Sequence, residues 1–238
     1  MSHYKLFDGV ICLSLDKRKE HWQELQQKFE DLGCEFYPFI CGNGLDPELK
    51  YDQIDEINPD VSRWGYGHSH LKYHHYNAFL GHLGMVNKVK ELGWKSVLFV
   101  EDDLELSPRF DIIMRGIEER EEELNYAKSF PVFYLSWWKG DEYDQYNNSI
   151  EDNWNHWGRI ALTTIQPGTN IGGLHMVIFR EEVYNKLLSL QPTNPIDSQL
   201  CHFRNDFPSL MLEPKASTVK SIVSMTEGCT FQRRKIER

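Results

Sequence analysis

The sequence has no excess of basic residues and no long apolar run, and each absence excludes a class of protein. Its 26 Lys and Arg face 36 Asp and Glu, for a formal net charge of −10. Nonspecific binding to nucleic-acid phosphates is therefore not expected. No segment approaches the roughly 18 apolar residues that a membrane-spanning helix requires. An anionic ligand must instead be held locally, by a metal ion or by backbone donors.

The cysteines are few, and their spacing shows no paired motif. The five form no C-x-x-C motif of the kind used for zinc or redox chemistry, and they are scattered along the chain as Cys12, Cys34, Cys41, Cys201 and Cys229. The first residues show neither the charged n-region nor the long apolar segment of a signal peptide. These features predict reduced thiols in an unprocessed protein of the cytoplasm.

The composition is that of a globular protein. Hydrophobic residues make up 40% of the 238-residue chain and aromatic residues 13%, which is ample material for one core. Neither an internal repeat nor a Gly/Ser-rich linker divides the chain. We expect a single domain over residues 1–238, with residues 232–238 as a frayed basic tail.

The N-terminal forty residues predict a strand-helix-strand unit. Residues 10–15 are a compact β-prone run, and residues 36–40 form a second one. Between them, an apolar face of helical spacing is followed by Gly33, which is typical of a helix end. Two strands joined through a helix pair in parallel. The sequence thus predicts an α/β fold with a mostly parallel central sheet flanked by helices.

An acidic triplet follows the most apolar strand candidate. Residues 96–100 are apolar without alternation, as in a strand covered on both faces, and Glu101, Asp102 and Asp103 come next. Ligands of open α/β sheets bind beyond the carboxyl ends of the strands. Adjacent carboxylates there favour a hard cation such as Mg²⁺ or Mn²⁺, which in turn can hold a diphosphate. Glu101 and Asp103 would then face the ligand while Asp102 turns toward the scaffold. The alternative is an ordinary polar strand exit that helps the next helix through its dipole.

Five sequence blocks occur in the order found in one family. They are Ile11-Cys-Leu-Ser-Leu-Asp-Lys-Arg18, Phe39-Ile-Cys-Gly-Asn-Gly44, Gly81-His82, Leu98-Phe-Val-Glu-Asp-Asp103 and Pro195-Ile-Asp197. The chain resembles glycosyltransferase family 25, the group of lipopolysaccharide and procollagen galactosyltransferases, from about residue 10 to about residue 214. One departure is that the family's Gly-Cys and Ser-His elements are reduced here to the histidine of Gly81-His82.

The resemblance implies a GT-A-like fold and an inverting, metal-dependent transfer. A sugar, with galactose as a candidate, would pass from a UDP-sugar to a hydroxyl of a glycan or glycoconjugate. Glu101 and Asp103 would bind Mn²⁺ or Mg²⁺. Inversion needs a base for the acceptor hydroxyl, and the resemblance points to Asp197, whose alternative role is a helix N-cap.

Further residues are candidates for binding the donor or the acceptor. The donor set consists of Ser14, Asp16, Arg18, His82, Glu101 and Asp102. Arg18 would pair with a donor phosphate, although a first-turn arginine is often simply solvated. His175 could join the metal site or be a satisfied strand-edge histidine. Aromatic residues that could stack on an acceptor sugar are Tyr143, Tyr146, Trp154 and Trp157, whereas Trp137 and Trp138 suit the core.

Two rival functions use the same sequence features. A metal-dependent hydrolase of nucleotide-diphosphate sugars would need the carboxylates but neither Asp197 nor the aromatic segment. A non-catalytic carbohydrate-binding module would need the aromatic segment alone. The sequence leaves the oligomeric state open.

Overall fold

A computed structural model describes residues 4–15, 18–41, 69–139, 160–166, 169, 171–191, 196–203, 206–213 and 215–219. Its strands are β1 (Gly9–Leu15), β2 (Phe36–Cys41), β3 (Ser96–Glu101), β4 (Leu104–Leu106), β5 (Val132–Lys139), β6 (Ala161–Ile165), β7 (Ile171–Arg180), β8 (Ser209–Glu213) and β9 (Ser217–Val219). Its helices are α1 (Lys19–Asp31), α2 (Ser69–Leu92), α3 (Phe110–Glu118), α4 (Glu121–Lys128), α5 (Glu181–Leu188) and α6 (Ile196–Phe203). In this part of the chain no helix is both long and apolar enough to cross a membrane.

The main sheet has seven strands in the order β2-β1-β3-β7-β5-β8-β6, and β4 pairs with β9 in a separate two-stranded sheet. Strand β1 runs parallel to β2 and β3, and β5 runs parallel to β8. Strand β7 is antiparallel to both β3 and β5, and β6 is antiparallel to β8. The predicted α/β class is confirmed. The expectation of a mostly parallel sheet is wrong, because an apolar run covered on both faces has the same composition in either direction.

Helices cover both faces of the sheet. Successive side chains of a strand point to opposite faces, so a continuously apolar strand needs a core on each side. On one face, Val10 and Cys12 of β1 pack in a core with residues of α1, α3 and α4, among them Phe29, Phe110 and Ala127. On the other face, Ile11 packs in a second core with residues of α2, α5 and α6, among them Phe79, Val183 and Leu200. The described residues therefore form three layers, helix on sheet on helix.

One edge of the sheet collects strand ends from both directions. Because β1 and β3 are parallel, Leu13 lies opposite Glu101 near their carboxyl ends. Because β7 is antiparallel to β3, its early residues reach the same edge, and Met176 pairs with Val100. The residue before Met176 in β7 is His175. The acidic triplet and His175 thus meet through the topology of the sheet.

Two glycines allow α2 to approach the sheet closely. Glycine in a helix interior costs about 1 kcal/mol relative to alanine, so a packing reason is expected. A Cβ atom at Gly81 would lie 2.8 Å from Leu13 Cδ1, and one at Gly84 would lie 2.5 Å from Phe39 Cζ. These contacts explain why α2 carries glycine where it crosses β1 and β2.

Gly84→Ala should destabilise the protein. The added methyl group meets the Phe39 ring, and overpacking of this kind costs roughly 1–3 kcal/mol, more than the gain in helix propensity. We expect the melting temperature to fall by several degrees, since about 2–4 °C correspond to 1 kcal/mol for a chain of this size. Thermal unfolding followed by circular dichroism measures it.

Gly116→Ala in α3 is the matched control. Its new methyl group would meet the flexible end of Ile160 at 2.8 Å and Arg120 Nη2 only at 4.0 Å, so the Ile160 side chain can move aside. Its stability should be unchanged or higher. Equal melting temperatures for the two variants would show that the Phe39 contact does not restrict residue 84.

Candidate metal centre

The three acidic residues lie where β3 turns into β4. Glu101 is the last residue of β3, and Asp102 and Asp103 form the turn before Leu104. The Asp102 N–H donates to the Leu13 carbonyl of β1 at 3.1 Å. This hydrogen bond links the turn to the neighbouring strand, so the sheet fixes the position of the three carboxylates.

Glu101 lies between two imidazoles. Its Oε2 is 3.2 Å from His175 Nδ1, and its Oε1 is 3.4 Å from His82 Nε2. Burial would raise the pKa of Glu101, but the interactions with His175 and His82 outweigh it and lower the pKa below its ordinary value. Glu101 is therefore held as a carboxylate.

Glu101, Asp103 and His175 can each offer one ligand atom, and these atoms all lie within 4.8 Å of one another. The Oδ1 atom of Asp103 is buried, and no hydrogen-bond partner for it occurs in the described ranges. Burial, and then the charge of Glu101, raise the pKa of Asp103. Two carboxylates and an imidazole, with one carboxylate oxygen that lacks a hydrogen bond, form a set of ligands that fits a divalent cation.

Asp102 belongs to a different network. It is buried, its Oδ2 accepts a 2.6 Å hydrogen bond from Ser14 Oγ, and its Oδ1 lies 3.0 Å from Arg18 Nη1. Burial raises the pKa of Asp102 to about 6, although the Ser14 hydrogen bond and the Arg18 charge oppose this rise. The predicted donor residues Ser14, Arg18 and Asp102 are thus brought together beside the metal candidates.

Arg18 occupies the N-cap position of α1, which begins at Lys19. One guanidinium nitrogen, Nη1, is paired with Asp102, while Nη2 is buried without a hydrogen-bond partner among the described residues. An arginine that is held on one side by a carboxylate and is without a partner on the other can bind an anionic ligand.

Asp197 lies in the first turn of α6, and its Oδ1 accepts from the Ser198 N–H at 2.8 Å. The Cys201 thiol contacts the Ile171 carbonyl at 3.3 Å, which holds α6 against the start of β7. Burial would lower the pKa of His175, but Glu101, Asp103 and Asp197 together raise it. Asp197 therefore lies on a helix at the same edge of the sheet, close enough to act electrostatically on His175.

The chain is similar to a glycosyltransferase 25 family member. That protein, from Drosophila pseudoobscura pseudoobscura, is 29% identical over 107 residues, which cover 43% of this chain and 17% of the fly protein. No family model matches the chain. The comparison confirms the resemblance to glycosyltransferase family 25 that the sequence blocks indicated.

Some of the residues predicted to bind donor or acceptor lie outside the part of the chain that the structure describes. Asp16 and the aromatic residues Tyr143, Tyr146, Trp154 and Trp157 lie outside the described residues. Trp137 is buried and donates through Nε1 to the Leu212 carbonyl at 2.9 Å, which confirms its prediction as a core residue. The candidate acceptor segment stays a prediction.

His175 is the residue that sequence reasoning left undecided. It follows Gly172 and Gly173, and Gly173 has a φ of 91°, a conformation that favours glycine. A histidine two residues after a pair of glycines, at the start of an apolar run, is the signal that the sequence offers. Its significance depends on β7 running antiparallel to β3, which the run itself does not encode.

Proposed function

We propose that this chain is a metal-dependent, inverting glycosyltransferase that moves a sugar from a UDP-sugar to a hydroxyl of a glycan or glycoconjugate. The observation that carries the proposal is the cluster of Glu101, Asp103 and His175 at the edge of the sheet. The similarity to a glycosyltransferase 25 family member supports the reaction class. A GT-A-like fold is part of the proposal and agrees with the three-layer architecture.

Glu101, Asp103 and His175 would hold the metal ion. Two carboxylates suit a hard divalent ion, and an imidazole is a more usual ligand of transition metals than of Mg²⁺, so the set favours Mn²⁺ over Mg²⁺. When bound, the ion would neutralise charge on the diphosphate of the donor. The protein's own contribution is to keep Glu101 ionised through His175 and His82, and to hold Glu101 and His175 on strands of the sheet.

Arg18 would bind the donor diphosphate on the other side of the acidic turn. Its guanidinium is held by Asp102, which is held in turn by Ser14. We therefore assign Ser14 and Asp102 to the donor site as the residues that fix Arg18. This division explains how one acidic triplet serves two purposes: Glu101 and Asp103 act toward the cation, and Asp102 acts toward the arginine.

Asp197 would act as the general base. Its carboxylate takes the proton from the acceptor hydroxyl, the hydroxyl oxygen forms the new bond to the anomeric carbon, and the bond from that carbon to the diphosphate breaks. Attack from the face opposite the leaving group inverts the anomeric centre. The position of Asp197 across the edge from the acidic turn, on a helix packed against β7, supports this role.

UDP-sugars should stabilise the protein only when Mn²⁺ is present. A ligand that binds the folded state at 100 times its dissociation constant adds about 2.7 kcal/mol, which corresponds to several degrees in melting temperature. A thermal-shift panel of common UDP-sugars with and without MnCl₂ measures this. The proposal is overturned if no UDP-sugar with Mn²⁺ shifts the transition and no transfer or donor hydrolysis is seen.

A further inference from the structure

His82 is a buried imidazole with one fixed nitrogen. Its relative exposure is 3%, and its Nδ1 lies 2.7 Å from the carbonyl oxygen of Ala78 in the same helix. A carbonyl oxygen only accepts, so Nδ1 carries the proton of this hydrogen bond. The ring plane is thereby fixed by the backbone of α2.

The other nitrogen of His82 is directed at the candidate metal centre. Nε2 is buried and makes no regular hydrogen bond within the described residues, yet it lies 3.4 Å from Glu101 Oε1. A buried polar nitrogen without a good hydrogen bond destabilises the folded protein. A functional reason for this placement is therefore expected.

Rigid elements hold both residues of the contact. Glu101 belongs to β3, and Leu13 pairs with it in the neighbouring strand. Gly81, which precedes His82, lets α2 pack directly onto the Leu13 side chain. The distance between His82 and Glu101 is consequently set by a helix and a strand in close contact, a more accurate support than a loop.

The two oxygens of Glu101 have different neighbours. Oε1 faces His82, and Oε2 lies 3.2 Å from His175 Nδ1. The last bond of a glutamate side chain has only a broad rotational preference, so the contacts of its two oxygens set its orientation. The contact with His82 restrains this rotation at Oε1, the oxygen that does not face His175.

We propose that His82 is a positioning residue, which holds the Glu101 carboxylate in the orientation that the metal cluster requires. This inference rests on the proposed function, since that function assigns a metal ion to Glu101, Asp103 and His175. Residues that orient metal ligands commonly change metal affinity by about 10–100-fold when they are replaced.

The test measures Mn²⁺ binding directly, without nucleotide or acceptor. Free Mn²⁺ gives an electron paramagnetic resonance signal that disappears on binding, so a titration yields the affinity. His82→Leu fills much of the imidazole volume without a polar atom and should weaken Mn²⁺ binding by about 10–100-fold. His82→Gln can place an amide N–H near the position of Nε2, where it can donate to Glu101 Oε1, and should restore most of that loss. If His82→Leu does not fold, His82→Ala takes its place.

Val86→Ala is the matched control, because Val86 is 1% exposed and lies one turn further along α2. It should lower the melting temperature and leave the Mn²⁺ affinity unchanged. If His82→Leu binds Mn²⁺ as tightly as the wild type, or if Val86→Ala loses as much Mn²⁺ affinity, the positioning role of His82 is overturned while the proposed metal site still stands. Failure of the wild-type protein to bind Mn²⁺ overturns the proposed metal site as well, so the two failures are distinguishable.

Discussion

Asp197→Asn should abolish sugar transfer while leaving Mn²⁺ and donor binding intact. Loss of a general base lowers rates by about 10²–10⁴-fold. Asparagine has the same shape as aspartate, and its amide oxygen can keep the 2.8 Å hydrogen bond from the Ser198 N–H. It has no basic oxygen for the acceptor proton. Initial rates of transfer, measured with the best donor from the thermal-shift panel, give the size of the effect.

The same variant distinguishes a transferase from a hydrolase. Hydrolysis of the donor diphosphate would use the metal cluster without Asp197, so it should continue in Asp197→Asn if that is the true activity. Ser198→Ala is the control, because Ser198 is exposed and its backbone N–H is unchanged. Transfer at the wild-type rate in Asp197→Asn would exclude Asp197 as the base. Donor hydrolysis at the wild-type rate in Asp197→Asn, without sugar transfer by either protein, would instead make the hydrolase the better description.

The parts of the fold that were predictable are those with a local signal. The β1-α1-β2 unit was predictable because residues 10–15 and 36–40 flank a helical face that ends at Gly33. The position of the acidic triplet at a strand end was predictable because residues 96–100 are continuously apolar. Both are properties of short stretches, and tertiary contacts do not overrule them.

The parts that were not predictable depend on long-range geometry. Ser14 and Asp102 are 88 residues apart in sequence, and the hydrogen bond between them follows from the parallel pairing of β1 and β3. The contact between Glu101 and His175 follows from the antiparallel direction of β7. The hydrophobic pattern of a segment indicates which residues are buried and whether they repeat as in a helix or a strand. The direction and order of the strands are set by how the whole chain packs.

Asp103→Asn should remove Mn²⁺ binding and at the same time stabilise the metal-free protein. The first effect follows because Asp103 supplies a charged ligand atom to the cluster. Loss of a ligand should weaken Mn²⁺ binding by more than the roughly 10–100-fold caused by replacing a residue that only orients a ligand. The Mn²⁺ titration used for His82 measures this change, and the UDP-sugar thermal shift should vanish with it.

The second effect follows from the electrostatics that the cluster has when a chelator keeps metal ions away. Oδ1 of Asp103 is buried without a hydrogen bond in the described part of the chain, and Glu101 adds like-charge repulsion. An unsatisfied buried group costs about 1–3 kcal/mol, and more when it is charged. Neutral asparagine avoids the repulsion and has a smaller desolvation cost. Thermal unfolding in the presence of a chelator should therefore show a rise of several degrees.

Glu105→Gln is the charge-matched control, since it removes one negative charge from an exposed residue of β4, two positions away. It should change neither the Mn²⁺ affinity nor the melting temperature by much, because a surface charge contributes little to stability. If the Asp103 carboxylate instead stabilised the fold, Asp103→Asn would lower the melting temperature. Stabilisation together with loss of Mn²⁺ binding is the combination expected of a residue that is retained for the ion it holds.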